Sequence, residues 1–182
     1  MKTLIIPGKM KYVFTIIVLI GLFISCSLSA QDINHNENHQ MNDSVMKQRQ
    51  EMIHFRSSMV MPFNMNKVTH YFISTGDGGI LMIKAKDPKD TLQISLIRSH
   101  LKKEGALFSK GDFRDPKTLH GMNMPGLEVL SGSENKFNVQ YKKLSDGAKL
   151  TFASKDTTVI NAIHVWFDAQ LKDHGKDARS KE

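Results

Sequence analysis

The densest group of residues able to do chemistry runs from Ile163-His164-Val165-Trp166-Phe167-Asp168 to Asp173-His174-Gly175. His164 and Asp168 stand four apart, so in a helix they project from one side and the carboxylate can orient the imidazole. A histidine held in this way suits a metal ligand with its supporting shell, or a general base. The plainer reading is a surface pair on a helix whose end is favoured by His174 and closed by Gly175.

A second group surrounds His120, with thioethers two and four residues on at Met122 and Met124, in a backbone constrained by Gly121, Pro125 and Gly126. Imidazole beside soft thioether suits copper, cuprous ion above all, while zinc would need His or carboxylate ligands drawn from separate elements. Met59, Met61 and Met65 form another Met-rich stretch, and His35, His39 and Met41 lie upstream. Methionine is also a gap-filling core residue, and Met61-Pro62-Phe63 reads as packing at the start of a domain. His70 shares a strand face with Val68 and Phe72, and His100 lies on the apolar side of a helix, so each is expected to be buried and hydrogen-bonded. Convergence of His100, His120 and His164 in one cleft would instead mark a functional site.

Two recurring patterns would carry these residues. Lys67 to Ser74 has strand composition, Gly76-Asp77-Gly78-Gly79 is a turn signal, and Ile80 to Ala85 is a second strand. Leu92, Leu96, Ile97, His100 and Leu101 then follow the spacing of a helix opening near Asp90, weakened at Gly105 and ended by Gly111. From Asp112 to Gly126 the glycines and prolines oppose regular structure, with a helical turn at Leu127 to Leu130. The scheme repeats: Phe137 to Tyr141 and Lys149 to Ala153 are strands about Ser145-Asp146-Gly147, and Asp156 opens a helix through Val159, Ile163, Phe167 and Leu171. The expected fold is α+β: two ββα units forming a four-stranded antiparallel sheet with the helices on one face.

Outside this domain, Lys2, Lys9 and Lys11 precede an apolar run from Tyr12 to Ile24 and small residues at Ser29-Ala30, the order of a secretory leader over residues 1–30. The run is shorter than the roughly 20 residues of a bilayer-spanning helix. Phe23-Ile24-Ser25-Cys26 also fits a lipobox, in which the leader ends before Cys26 and the cysteine is acylated. Either route predicts an exported protein, periplasmic, outer-membrane-anchored or secreted, that meets the membrane only through its leader or a lipid. Residues 31–58 are expected to be a tether, poor in aliphatic side chains at first, with a short helix from Asp43 or Ser44 carrying Val45, Met46, Met52, Ile53 and Phe55. Residues 59–178 form the single domain and 179–182 a tail.

Cys26 is the one cysteine, which excludes disulfides, thiolate metal sites and cysteine nucleophiles from the domain. The formal charge of +7, less the three leader lysines, is a modest +4 with acids and bases interleaved, so a nucleic-acid partner is not expected. No Gly-x-Ser-x-Gly elbow, phosphate loop, dinucleotide fingerprint or His-Glu-x-x-His is present.

Thr69-His70, Thr75-Gly76-Asp77-Gly78-Gly79, Ile97-Arg98-Ser99-His100-Leu101, Gly111-Asp112-Phe113, His120-Gly121, Met124-Pro125-Gly126-Leu127 and His164-Val165-Trp166-Phe167-Asp168-Ala169-Gln170-Leu171, with Asp173-His174-Gly175, together resemble a family of small exported bacterial proteins of unknown activity. The resemblance covers nearly all of Val68 to Gly175 and implies no particular catalytic residues. Its members are often labelled aspartate carbamoyltransferase. That enzyme's catalytic chain is longer, has two domains and carries a Ser/Thr/Arg-rich carbamoyl-phosphate loop not found here, and its regulatory chain holds zinc through four cysteines.

The functional expectation is a binding domain that uses His164, Asp168 and His120, with His100, His174 and Met124, for a copper or zinc ion or a small ligand. An enzyme with His164 as general base oriented by Asp168, and a structural or interaction module, are the alternatives.

Overall fold

The structure, a computed structural model, describes residues 30–182, with side chains from Asn42 onward. The leader, the lipobox at Cys26 and the side chains of His35, His39 and Met41 lie outside the described residues.

Both expected hairpins form: β1 (Val68–Thr75) with β2 (Gly78–Ala85), and β3 (Phe137–Leu144) with β4 (Gly147–Ser154). They join through antiparallel β2 and β4, with Leu81 opposite Leu150 and Ile83 opposite Ala148. A fifth strand corrects the expected four-stranded antiparallel sheet. β5 (Ala178–Arg179) runs parallel to β1, giving a mixed sheet of order β3-β4-β2-β1-β5. Two residues carry no periodicity that could have revealed it, and part of the expected tail is thereby structured.

Alternation sends Val68, His70 and Phe72 of β1, Leu81 and Ile83 of β2, and Leu150 and Phe152 of β4 to one buried face. Helices α2 (Thr91–Phe108) and α5 (Thr157–His174) pack on it. Each begins where an aspartate accepts from an early backbone N–H, Asp90 from Gln93 and Asp156 from Thr158. α2 passes through Gly105 without ending, and the glycine serves close packing on the sheet, since a side chain there would meet Leu150 Cδ2 at 2.7 Å. Phe108, Phe113, Phe152, Trp166 and Phe167 form an aromatic core between helices and sheet, with Phe108 and Phe113 stacked at 4.7 Å.

Two segments are more ordered than their composition suggests. Within the stretch expected to be irregular, α3 (Arg114–His120) forms, and the expected helical turn follows it as α4 (Leu127–Ser131). Pro116 sits in the first turn of α3, where an absent N–H costs nothing. Phe113 and Leu119, both buried, fix that helix to the core. Upstream, where a tether with a short helix is expected, one helix runs from Ala30 to Val60 (α1). Of its expected apolar residues only Ile53 is buried, and polar bonds described below do the rest of the docking.

Gly79 lies beneath α5, where a Cβ would meet Phe167 Cε2 at 2.5 Å and Ile73 O at 3.1 Å. Gly79→Ala is expected to destabilise the domain by about 1–3 kcal/mol in denaturant unfolding, whereas Gly76→Ala, with open space around its site, leaves the midpoint nearly unchanged.

Candidate functional site

The inward stripe of α5 is apolar at Val159, Ile163, Trp166 and Phe167, then turns polar while keeping its spacing, at Gln170, Asp173 and His174. These three are buried, with 4 %, 4 % and 6 % of their surface exposed. They meet side chains from four other elements: Arg49 of α1, His70 of β1, His100 and Glu104 of α2, and His120, the last residue of α3.

Asp173 is the hub. Its carboxylate receives Arg49 through Nε at 2.5 Å and Nη2 at 2.7 Å, and His120 Nδ1 at 2.8 Å. The same Nη2 reaches the His120 carbonyl at 3.1 Å. Burial alone would raise the Asp173 pKa, but the bonds from His120 and Arg49 outweigh it and hold the group below its ordinary value. An ionised carboxylate only accepts, so Nδ1 of His120 carries the proton and Nε2 keeps the lone pair in the neutral ring.

Beyond this pair lies a cavity of about 50 Å³ lined by His70, His100, Glu104, His120, Gln170 and His174 among others. His70 stacks on His174 with ring centres 4.8 Å apart, and His120 meets His174 edge-on at 5.1 Å. Burial, followed by the neighbouring imidazoles His100 and His120, pushes His70 down to about 3. Burial likewise takes His100 down to about 4 and His174 well below its usual value. These rings are neutral at pH 7. Glu104 moves the other way, up to about 7, because burial and then a hydrogen bond shared with Asp115 favour its protonated form.

Among the described residues, the buried side-chain atoms without a hydrogen bond are both ring nitrogens of His70, Glu104 Oε1, Trp166 Nε1 and Gln170 Oε1. The Asp177 backbone lies close enough to His70 to favour its charged form slightly, without good hydrogen-bond geometry. Glu104 Oε1 has Lys103 Nζ at 3.4 Å as an ionic neighbour. All four residues line the one cavity. His174 also borders a second, open cleft of about 420 Å³ between α1 and the end of α5, with Lys47, His54 and Asp173 on its walls.

The expected site residues divide. His100, His120 and His174 meet at the cavity, joined by His70, which is buried as expected but lacks the expected hydrogen bonds. His164 lies elsewhere, with Nε2 at 3.0 Å from Thr75 O and 2.9 Å from Gly78 O, where its N–H ties α5 to the β1–β2 turn. Asp168 is exposed, so the carboxylate-oriented imidazole foreseen there is found instead at Asp173 and His120. Met124 is core and Met122 is 74 % exposed. Among the described residues no group of three or more His, Cys, Asp or Glu side chains is placed to hold a metal ion. Sequence reading gave no site role to Arg49, Glu104 or Gln170, and counted Asp173 in the α5 cluster without assigning it one. Glu104 follows His100 by four residues on the packed side of α2, and Gln170 and Asp173 extend the α5 stripe. Those polar residues in apolar register were the available signal.

The molecule is thus an α+β domain with an imidazole-lined cavity. In comparisons with protein-family models, curated proteins and solved structures, nothing matches this chain.

The shifted groups set the acid response. His70, His100 and His174 have folded pKa values below 6.5, so their contribution is present above pH 6.5 and lost as pH falls through the folded values. Glu104 has a raised value, so its contribution is present below 4.5 and lost as pH rises through about 7. Three imidazoles outweigh one carboxyl, and the urea midpoint is expected to fall between pH 6.5 and pH 4.5. Glu104→Gln should steepen that fall, and a midpoint constant over the range would contradict the assignment.

Proposed function

We propose that the domain is an exported binding module that holds a small polar ligand in the imidazole-lined cavity. The observation that carries this reading is the concentration of unpaired buried polar atoms around one space. Each such atom costs about 1–3 kcal/mol when left unsatisfied, and native interiors hold few of them. A space of this size accommodates roughly three or four water-sized positions, so the ligand, or the part of it that enters, has a few heavy atoms. It offers an acceptor to Trp166 Nε1–H and a donor to Gln170 Oε1, while His70 supplies one of each. Imidazole is also what zinc and copper take, which keeps those ions among the ligands to be tried.

A second reading is favoured by the pairing of His120 with Asp173 and of Glu104 with Asp115 on the same cavity. An oriented imidazole and a carboxyl of raised pKa lining one cavity are the equipment of acid–base chemistry. Under this reading His120→Gln abolishes turnover while ligand still binds.

Trp166 is the one tryptophan, so its indole N–H gives a single assignable resonance. Titration with acetamide, urea, imidazole, zinc and cuprous ion is expected to shift that resonance saturably for at least one of them. An indole signal indifferent to the whole panel would count against the binding reading. Gln170→Met, which removes the unpaired oxygen, is expected to stabilise the empty domain by about 1 kcal/mol and to weaken binding. A clear loss of stability would show that the carbonyl is structurally satisfied.

A further inference from the structure

The side of α1 turned away from the domain carries Val45, Met52, Phe55 and Met59, exposed by 58 %, 39 %, 80 % and 70 %. Exposed large apolar side chains are ordinary singly, but a continuous row is not. Their spacing is seven, three and four, the a and d positions of two heptads, with Val45, Met52 and Met59 at a, Phe55 at d and polar Gln48 at the other d. Glu51 then falls at g and Arg56 at e, on opposite flanks of the stripe. In a parallel pair of helices a g residue faces the e residue five positions on in the partner. Glu51 of one copy meets Arg56 of the other, twice by symmetry.

The geometry points to a parallel homodimer in which α1 packs against α1 of a second copy of this chain. The occupant is chosen by self-complementarity: the seam matches itself in apolar register and in charge, as an isologous contact requires. Two heptads are few for a free coiled coil, since short helices are marginal in water. Here the helix is already held along the flank away from Glu51, by Arg49 (at e) to Asp173, Gln50 to the Lys172 carbonyl at 2.8 Å, and buried Ile53. Association therefore does not have to bear the cost of forming it.

The test uses the full-length chain recovered from the producing cells, with the parent, which keeps Cys26, run alongside. Val45→Cys and Met59→Cys are each expected to give a disulfide-linked dimer under mild oxidation, because a positions face their own copies in a parallel pair. His54→Cys, on another side of the helix, gives none. Sedimentation of the parent shows a dimer, and Phe55→Glu combined with Met59→Glu weakens association roughly tenfold or more with the circular dichroism spectrum retained. A monomeric parent with cross-linking indifferent to position overturns the proposal. Cross-linking through Met52→Cys but not through Val45→Cys or Met59→Cys overturns the parallel arrangement. A monomer that instead partitions onto phospholipid vesicles through Phe55 assigns the stripe to a lipid surface and overturns it as well.

Discussion

One carboxylate holds three elements together. Asp173 stands in the last turn of α5, takes a two-pronged bond from Arg49 of α1 and a third from His120 at the end of α3. Among the described residues of α1, Ile53 is the one fully buried apolar side chain, and Gln50 adds a bond to the Lys172 carbonyl. A buried acid is tolerated only when its lone pairs are taken, and both partners here carry donors arranged to take them. Remove the carboxylate and the His120 imidazole loses its partner while Arg49 keeps only its bond to the His120 carbonyl, which is why a single residue bears on both the docking of the N-terminal helix and the orientation of the cavity wall.

Around that satisfied charge the neighbouring groups are left wanting. His70 is enclosed by Phe63, Phe72 and His174, an apolar and aromatic setting that keeps it neutral and gives its nitrogens no partner. Trp166 packs among Phe108, Phe113 and Phe152 while also lining the cavity, and Gln170 brings an amide where the helix spacing calls for an aliphatic residue. A core optimised for stability would place apolar side chains here. Retained unsatisfied polarity costs stability, and such costs recur where a protein interior is shaped for something other than itself. His174 borders both the cavity and the second cleft, so one buried ring forms part of the wall of each.

The hairpins and the two long helices were legible because each is announced by its own local chemistry: alternation, a Gly/Asp turn, and an aspartate at the start of a 3.6-residue period. β5 was not legible, since its pairing with β1 depends on where α5 ends rather than on its two residues. α3 was hidden by Pro116, which opposes a helix only when it falls beyond the first turn. Within the site, histidines drew notice by type and three of them do converge, yet the partner of His120 lies 53 residues away, a pairing that no spacing rule reaches. His164 and Asp168 were conspicuous for their four-residue interval, but His164 turns to backbone carbonyls at the β1–β2 turn. The burial of Glu104, Gln170 and Asp173 followed from helical register, while their meeting around one space followed from the fold.

That burial keeps the His70 and His100 rings of the cavity wall neutral, while the Asp173 carboxylate fixes the His120 proton on Nδ1, is tested most directly by nitrogen-15 resonances of the histidine rings followed through an acid titration. The account predicts that the His70 and His100 rings remain neutral at about pH 5, well below the ordinary histidine range, and that the His120 proton resides on Nδ1 in a hydrogen bond. Titration of His70 near 6.5, or a His120 proton found on Nε2 alone, would contradict it.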